Sequence, residues 1–168
     1  MLKAVAAILL TMGLTCWAQS LPPTVGETLA GQRVVLAEAV RGYTTVLLIS
    51  FSREAGAASD AWSQKLHSDP AFATVALYRA VLLEAAPGLV RGLIKAALRR
   101  QLSSAEQQRY VVLVRDEAQW RDVCNTGTDK ASLDKMPCVL LLGADGQVRW
   151  RGEGTPDSLL PQLKTALR

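Results

Sequence analysis

The stretch Leu48-Ile49-Ser50-Phe51-Ser52-Arg53-Glu54-Ala55-Gly56 decides how the chain is read. It closes an apolar run that begins at Thr44, as expected of a strand buried on both faces, and passes without a linker into residues suited to a helix start. Ser52 has the chemistry of an N-cap, its hydroxyl accepting from a backbone N–H of the first turn, and Glu54 would sit in that positive first turn.

Working outward, Ala58, Trp62 and Leu66 fall four apart and mark the inner face of a helix over 54–67, with Asp69-Pro70 as the breaker. Residues 75–83 read as a second central strand. Pro87-Gly88 opens a helix with Leu89, Leu93, Ala97, Val90, Ile94 and Leu98 on one side. Residues 33–36 and 110–114 are further strand candidates, 117–124 is a short helix containing Trp120, and the polar 125–135 reads as a loop. Two apolar runs flank Asp145-Gly146, a strong hairpin signal. The closing helix over 156–167 has Thr155 as N-cap and Pro156 at its first position. Strands alternating with helices and finishing in a hairpin and a helix predict an α/β three-layer sandwich, with a mixed central sheet and helices on both faces.

The first eighteen residues stand apart. Lys3, the apolar run 4–14 and Cys16-Trp17-Ala18 have the order of a cleaved secretory signal peptide over 1–18. The run falls short of the ~20 residues a spanning helix needs, the alternative being an uncleaved leader that anchors the chain. The expected location is periplasmic, with one domain over 22–168. The chain has 19 Lys+Arg against 15 Asp+Glu, a net charge of +4. That is too weak to argue for nucleic acid, and an apolar fraction of 49% excludes disorder.

Export places Cys124 and Cys138 where disulfides persist. Cys138 reads as a small apolar residue starting a buried strand, as half of a bridge to Cys124, or as a reactive thiol, and the residues leave all three open. A bridge closing about fourteen residues would stabilise by ~3 kcal/mol. Ser52 as a nucleophile would need an adjacent base. The single histidine, His67, lies about fifteen residues further along the same helix, ~22 Å away. One histidine and two separated cysteines make no zinc cluster, and Gly152-Glu153-Gly154 lacks the residues of a phosphate loop, so neither metal nor cofactor is expected. Arg91, Lys95, Arg99 and Arg100 form a basic stretch on their helix, read as a solvated face or as a peripheral contact with anionic lipid or an acidic partner. Trp150 alternates with Arg149 and Arg151, and an exposed Trp between arginines suits a protein interface.

The order of elements resembles the thioredoxin-like fold over nearly the whole span from Pro22 to the end, in the form with a strand-helix unit inserted before the terminal hairpin. The junction at Phe51-Ser52 and the Met136-Pro137 pair before a strand carry the resemblance, which implies a cis-proline opposite the junction. Thioredoxin-like enzymes hold Cys-x-x-Cys at that junction, one thiolate to attack and a second sulfur to resolve the mixed disulfide, whereas Ser52 and Ala55 stand here. Within the fold the chain resembles the ATP synthase assembly-factor family, which has bacterial secreted relatives. That likeness rests on Ser50-Phe51-Ser52-Arg53-Glu54-Ala55-Gly56, on Trp62, and on Val148-Arg149-Trp150-Arg151-Gly152-Glu153-Gly154. It implies a redox-inactive assembly factor or chaperone with a protein client in the cell envelope. The expected binding surface is Ser52, Arg53, Glu54, Met136 and Pro137, extended by Trp150. The competing reading is a thiol-disulfide oxidoreductase or peroxiredoxin-like enzyme that attacks with Cys138 and resolves with Cys124. A passive small-ligand binder using the groove beside Pro137 is a third.

Overall fold

The structure, a computed structural model, describes residues 19–127 and 130–168. The signal-peptide reading of 1–18 therefore lies outside the described residues. A hairpin comes first, β1 (Val25–Thr28) with β2 (Arg33–Val35), followed by the single-turn helix α1 (Leu36–Ala39). Then come β3 (Thr45–Ser50), α2 (Arg53–Ser68), a 3-10 turn at Pro70–Phe72 and β4 (Ala76–Leu82). They lead into α3 (Gly88–Gln101), α4 (Ser104–Gln108), β5 (Tyr110–Leu113), α5 (Glu117–Cys124) and α6 (Lys130–Leu133). The chain closes with β6 (Cys138–Leu142), β7 (Val148–Glu153) and α7 (Pro156–Leu167).

The strands form one sheet in the order β2-β1-β5-β4-β3-β6-β7. β3, β4 and β5 run parallel, and the other pairings are antiparallel. All six residues of β3 are buried because the strand is covered on both sides. Leu47 and Ile49 join a cluster with Leu36, Trp120 and Val123, while Val46 and Leu48 join Trp62, Leu66 and Leu163 on the other face. This is the two-fold alternation of a pleated strand between two helical layers. Trp62 and Trp120 are fully buried, one in each layer. Each indole N–H keeps a partner, Trp62 Nε1 donating to the Gly154 carbonyl at 2.8 Å and Trp120 Nε1 to Thr24 Oγ1 at 3.0 Å.

Several expectations need correction. β1 escaped the pattern because Val25-Gly26-Glu27-Thr28 alternates poorly, yet its glycine is required: a Cβ at Gly26 would come within 2.5 Å of Val111 Cγ1 on β5. The polar segment 125–135 contains a helical turn, α6. Thr155 occupies the N-cap position of α7 without a capping side-chain bond.

The largest departure is α3, none of whose residues is buried. Three of its four basic residues, expected to face solvent, turn back to the body, and Arg100 stays exposed. Arg91 donates to the carbonyls of Leu83 and Glu84 at 2.9 and 2.8 Å, Lys95 to Glu27 at 2.8 Å, and Arg99 to the Leu29 carbonyl at 2.6 Å. Carbonyls and a carboxylate near the sheet margin claim these donors, since a backbone acceptor sheltered from water costs free energy if left unpaired. Leu89 and Leu93, expected to cover the sheet, face outward instead, 81% and 65% exposed.

Candidate functional site

Parallel β3 and β4 bring their C-terminal ends to the edge of the sheet from which antiparallel β6 departs, with Ile49 paired to Cys138. The chain leaves β3 through Phe51 and Ser52 and turns at once into α2. Ser52 has extended backbone and its hydroxyl accepts from the Ala55 N–H at 3.0 Å, as an N-cap does. The same hydroxyl donates to the Asp134 carbonyl, tying the start of α2 to the loop ahead of β6. Arg53 and Glu54 are exposed in the first turn.

Arg121 completes this corner. Its guanidinium lies 4.5 Å from the Phe51 ring centroid and binds Glu117 Oε1 and Asp134 Oδ1, both at 2.8 Å. Burial opposes the charged form, but the bonds to the Asp134 and Glu117 carboxylates outweigh it and hold the guanidinium above its ordinary pKa. Asp134 is thus held twice, by its carbonyl and by its carboxylate. The Met136 N–H donates to the Ser132 carbonyl at 2.9 Å. Met136 is half-buried and Pro137 buried. The expected cis bond is absent: no peptide bond among the described residues is cis, so Met136-Pro137 is trans.

Cys124, the last residue of α5, and Cys138, the first of β6, form a disulfide with Cα atoms 5.7 Å apart. Each is about 1% exposed. The bridge closes the neck of the loop that carries Asp134, Met136 and Pro137, and an incoming thiolate has little access to either sulfur.

Ser52, Arg53 and Glu54 at the start of α2 and Met136 and Pro137 ahead of β6 therefore lie at one edge of the sheet. Trp150 does not join them. It pairs with Leu141, three residues in from Cys138 and ~10 Å along the ladder. It is half-buried on the α7 face, in the cluster with Leu141 and Leu163, whereas Cys138 belongs to the opposite cluster. The exposed residues of β7 are Arg149 and Arg151. His67 lies near the far end of the unbroken helix α2, exposed and 3.4 Å from Ser63 Oγ, with no route to Ser52. Arg121 and Asp134 were not singled out from sequence. The i,i+4 spacing of Glu117 and Arg121 was a usable signal for one, and nothing marked the other within a polar loop. Among the described residues no group of three or more His, Cys, Asp or Glu could hold a metal ion.

No family model and no curated protein matches the sequence. Solved structures do match. A thiol:disulfide interchange protein DsbE from Chlorobium tepidum superposes with a TM-score of 0.58 at 15% identity, over 90% of this chain and 97% of that one. BsSco, a member of the Sco family of cytochrome c oxidase assembly proteins, gives 0.56 at 16% identity over 90% and 95%. The thioredoxin domain of a thiol-disulfide oxidoreductase from Bacteroides vulgatus gives 0.55 at 15% identity over 90% and 97%. The chain has the thioredoxin-like fold. At such identities the likeness speaks for the fold and leaves activity open.

Proposed function

We propose that the chain is an extracytoplasmic binding module of thioredoxin-like fold that holds a protein partner against the edge formed by Arg53, Glu54, Met136 and Pro137, without thiol exchange at that edge. The observation that carries this reading is the Ser52 hydroxyl. It stands at the junction where the resembled enzymes keep a dithiol, and it is committed to the Ala55 N–H and the Asp134 carbonyl. The junction keeps what the fold offers a partner, namely the positive N-terminal end of α2 and an Arg53 able to grip a carboxylate in bidentate fashion. Assembly or maintenance of an envelope complex is the role this suits, in line with the resemblance to the assembly factors. A disulfide and an apolar leader both favour a location outside the cytoplasm.

One observation favours the second reading, a thiol enzyme: the Cys124–Cys138 bridge adjoins Pro137 on that same edge. Insulin reduction separates the two. The binding module leaves insulin disulfides intact at the background rate, and turnover that vanishes in Cys138→Ser would replace it with the enzyme.

A further inference from the structure

Helix α3 carries four cations, Arg91, Lys95, Arg99 and Arg100, and no acidic residue. The whole sequence has 19 Lys+Arg and 15 Asp+Glu. Setting aside those four leaves fifteen of each sign, so the entire net charge of +4 resides on this one helix. Arg91 is held by carbonyls, which leave its charge uncancelled, and Lys95 and Arg99 share the single carboxylate of Glu27 at 2.8 and 3.9 Å.

The outer side of the same helix is aliphatic. Leu89 is 81%, Leu93 65% and Val90 41% exposed, and exposed Ala96 and Ala97 continue the surface. Two long aliphatic side chains exposed on a helix with no buried residue form a surface that nothing among the described residues covers, and the charge of the helix limits what can cover it.

We propose that α3 docks on an anionic bilayer surface, with Leu89, Val90 and Leu93 entering the interface and exposed Arg100, which shares their side of the helix, at headgroup level. A helix lying in the membrane plane needs an apolar side and a cation whose stem reaches the phosphates; α3 supplies the first in Leu89, Val90 and Leu93 and the second in Arg100, while Arg91, Lys95 and Arg99, bonded on the body side, add to the positive field of the same helix. Anionic lipid attracts such a cluster at ~1 kcal/mol per cation near the surface. A second copy of the chain is disfavoured because it would bring the same excess of positive charge against itself. A protein partner is disfavoured because the outward residues are aliphatic and small, without the aromatic anchors of protein hot spots, on the convex side of a helix. This surface is separate from the edge at Ser52 and does not depend on what binds there.

Hydrogen exchange of the full chain, read peptide by peptide, tests the proposal whether or not the leader also binds lipid. With vesicles of phosphatidylglycerol and phosphatidylcholine in equal parts, amides over 88–97 exchange about tenfold more slowly, and salt reverses the effect. Phosphatidylcholine alone produces none of it. Leu89→Gln with Leu93→Gln abolishes the slowing while the exchange of β3 stays unchanged, because both side chains are exposed. Arg100→Gln weakens the vesicle affinity about fivefold. Unchanged exchange in α3 on anionic vesicles would overturn the proposal. So would slowing that grows with protein concentration in the absence of lipid, which would assign the face to a second copy. Slowing by poly-glutamate that matches the vesicles and persists in the double variant would assign it to an acidic protein.

Discussion

Opening the Cys124–Cys138 bridge is expected to remove ~3 kcal/mol of stability, the chain-entropy value for a loop of about fourteen residues at 25 °C. The sequence separation is 14, and both cysteines are about 1% exposed within the cluster that contains Trp120 and Val123. Free cysteine packs as a small apolar residue, so reduction leaves the core nearly filled and isolates the loop-closure contribution. Replacing both by alanine adds a small cavity cost, ~1 kcal/mol more. For a domain of about 150 residues, ~3 kcal/mol lowers Tm by roughly 6–12 °C. Urea unfolding with and without reductant, followed by the fluorescence of buried Trp62 and Trp120, measures the difference. A loss below ~1 kcal/mol at unchanged m would show that the bridge is not what restrains the chain. The loop would then be pinned by Ser52 and Arg121 through Asp134, and not by the bridge at its neck.

Ser52→Ala should cost ~1–2 kcal/mol in the same denaturation assay, because it removes the cap and the bond to the Asp134 carbonyl together. Trp62→Ala should cost ~3–5 kcal/mol, since it empties one layer of the core and orphans the Gly154 carbonyl. Acid should destabilise through two carboxylates. Asp69 is held below its ordinary 3.8 by the Lys164 side chain and the Ala71 N–H, and Glu106 below its ordinary 4.5 by Ser103. A depressed folded pKa gives stability that is present above these values and lost as pH falls through them. Tm should therefore hold from neutrality to near 5 and decline below about 4.5, less steeply in Asp69→Asn with Glu106→Gln. An equal slope in that double variant would show that neither carboxylate contributes to the acid sensitivity.

The legible parts of the fold were those where one physical cause dominates. β3 shows as an unbroken apolar run because both faces are covered, α2 shows as a four-residue spacing ending in Asp69-Pro70, and the β6-β7 hairpin shows around Asp145-Gly146. The meeting of Ser52 with Met136 and Pro137 was legible only through the resemblance, since nothing local links residues so far apart. Where causes compete, the pattern misled. In α3 a basic stripe and an aliphatic stripe are equally regular, and acceptors at Leu83, Leu29 and Glu27, far off in sequence for the last two, decide which turns inward. Trp150 alternates with two arginines, and the α7 face takes the indole while the arginines stay exposed. The disulfide depends on a Cα separation that spacing alone does not give. The trans Met136-Pro137 bond departs from what the resemblance implied.

How a partner is held at the edge beside Pro137 separates binding from thiol exchange. A photoreactive residue in place of Met136, introduced in cells that also carry Cys124→Ala and Cys138→Ala, traps whatever lies against that edge. The expected result is a covalent adduct to a single envelope protein that forms as well without the cysteines as with them, and that is lost on Arg53→Ala. A partner recovered only as a mixed disulfide, released by reductant and absent from Cys138→Ser, would contradict it and make the edge a site of thiol exchange.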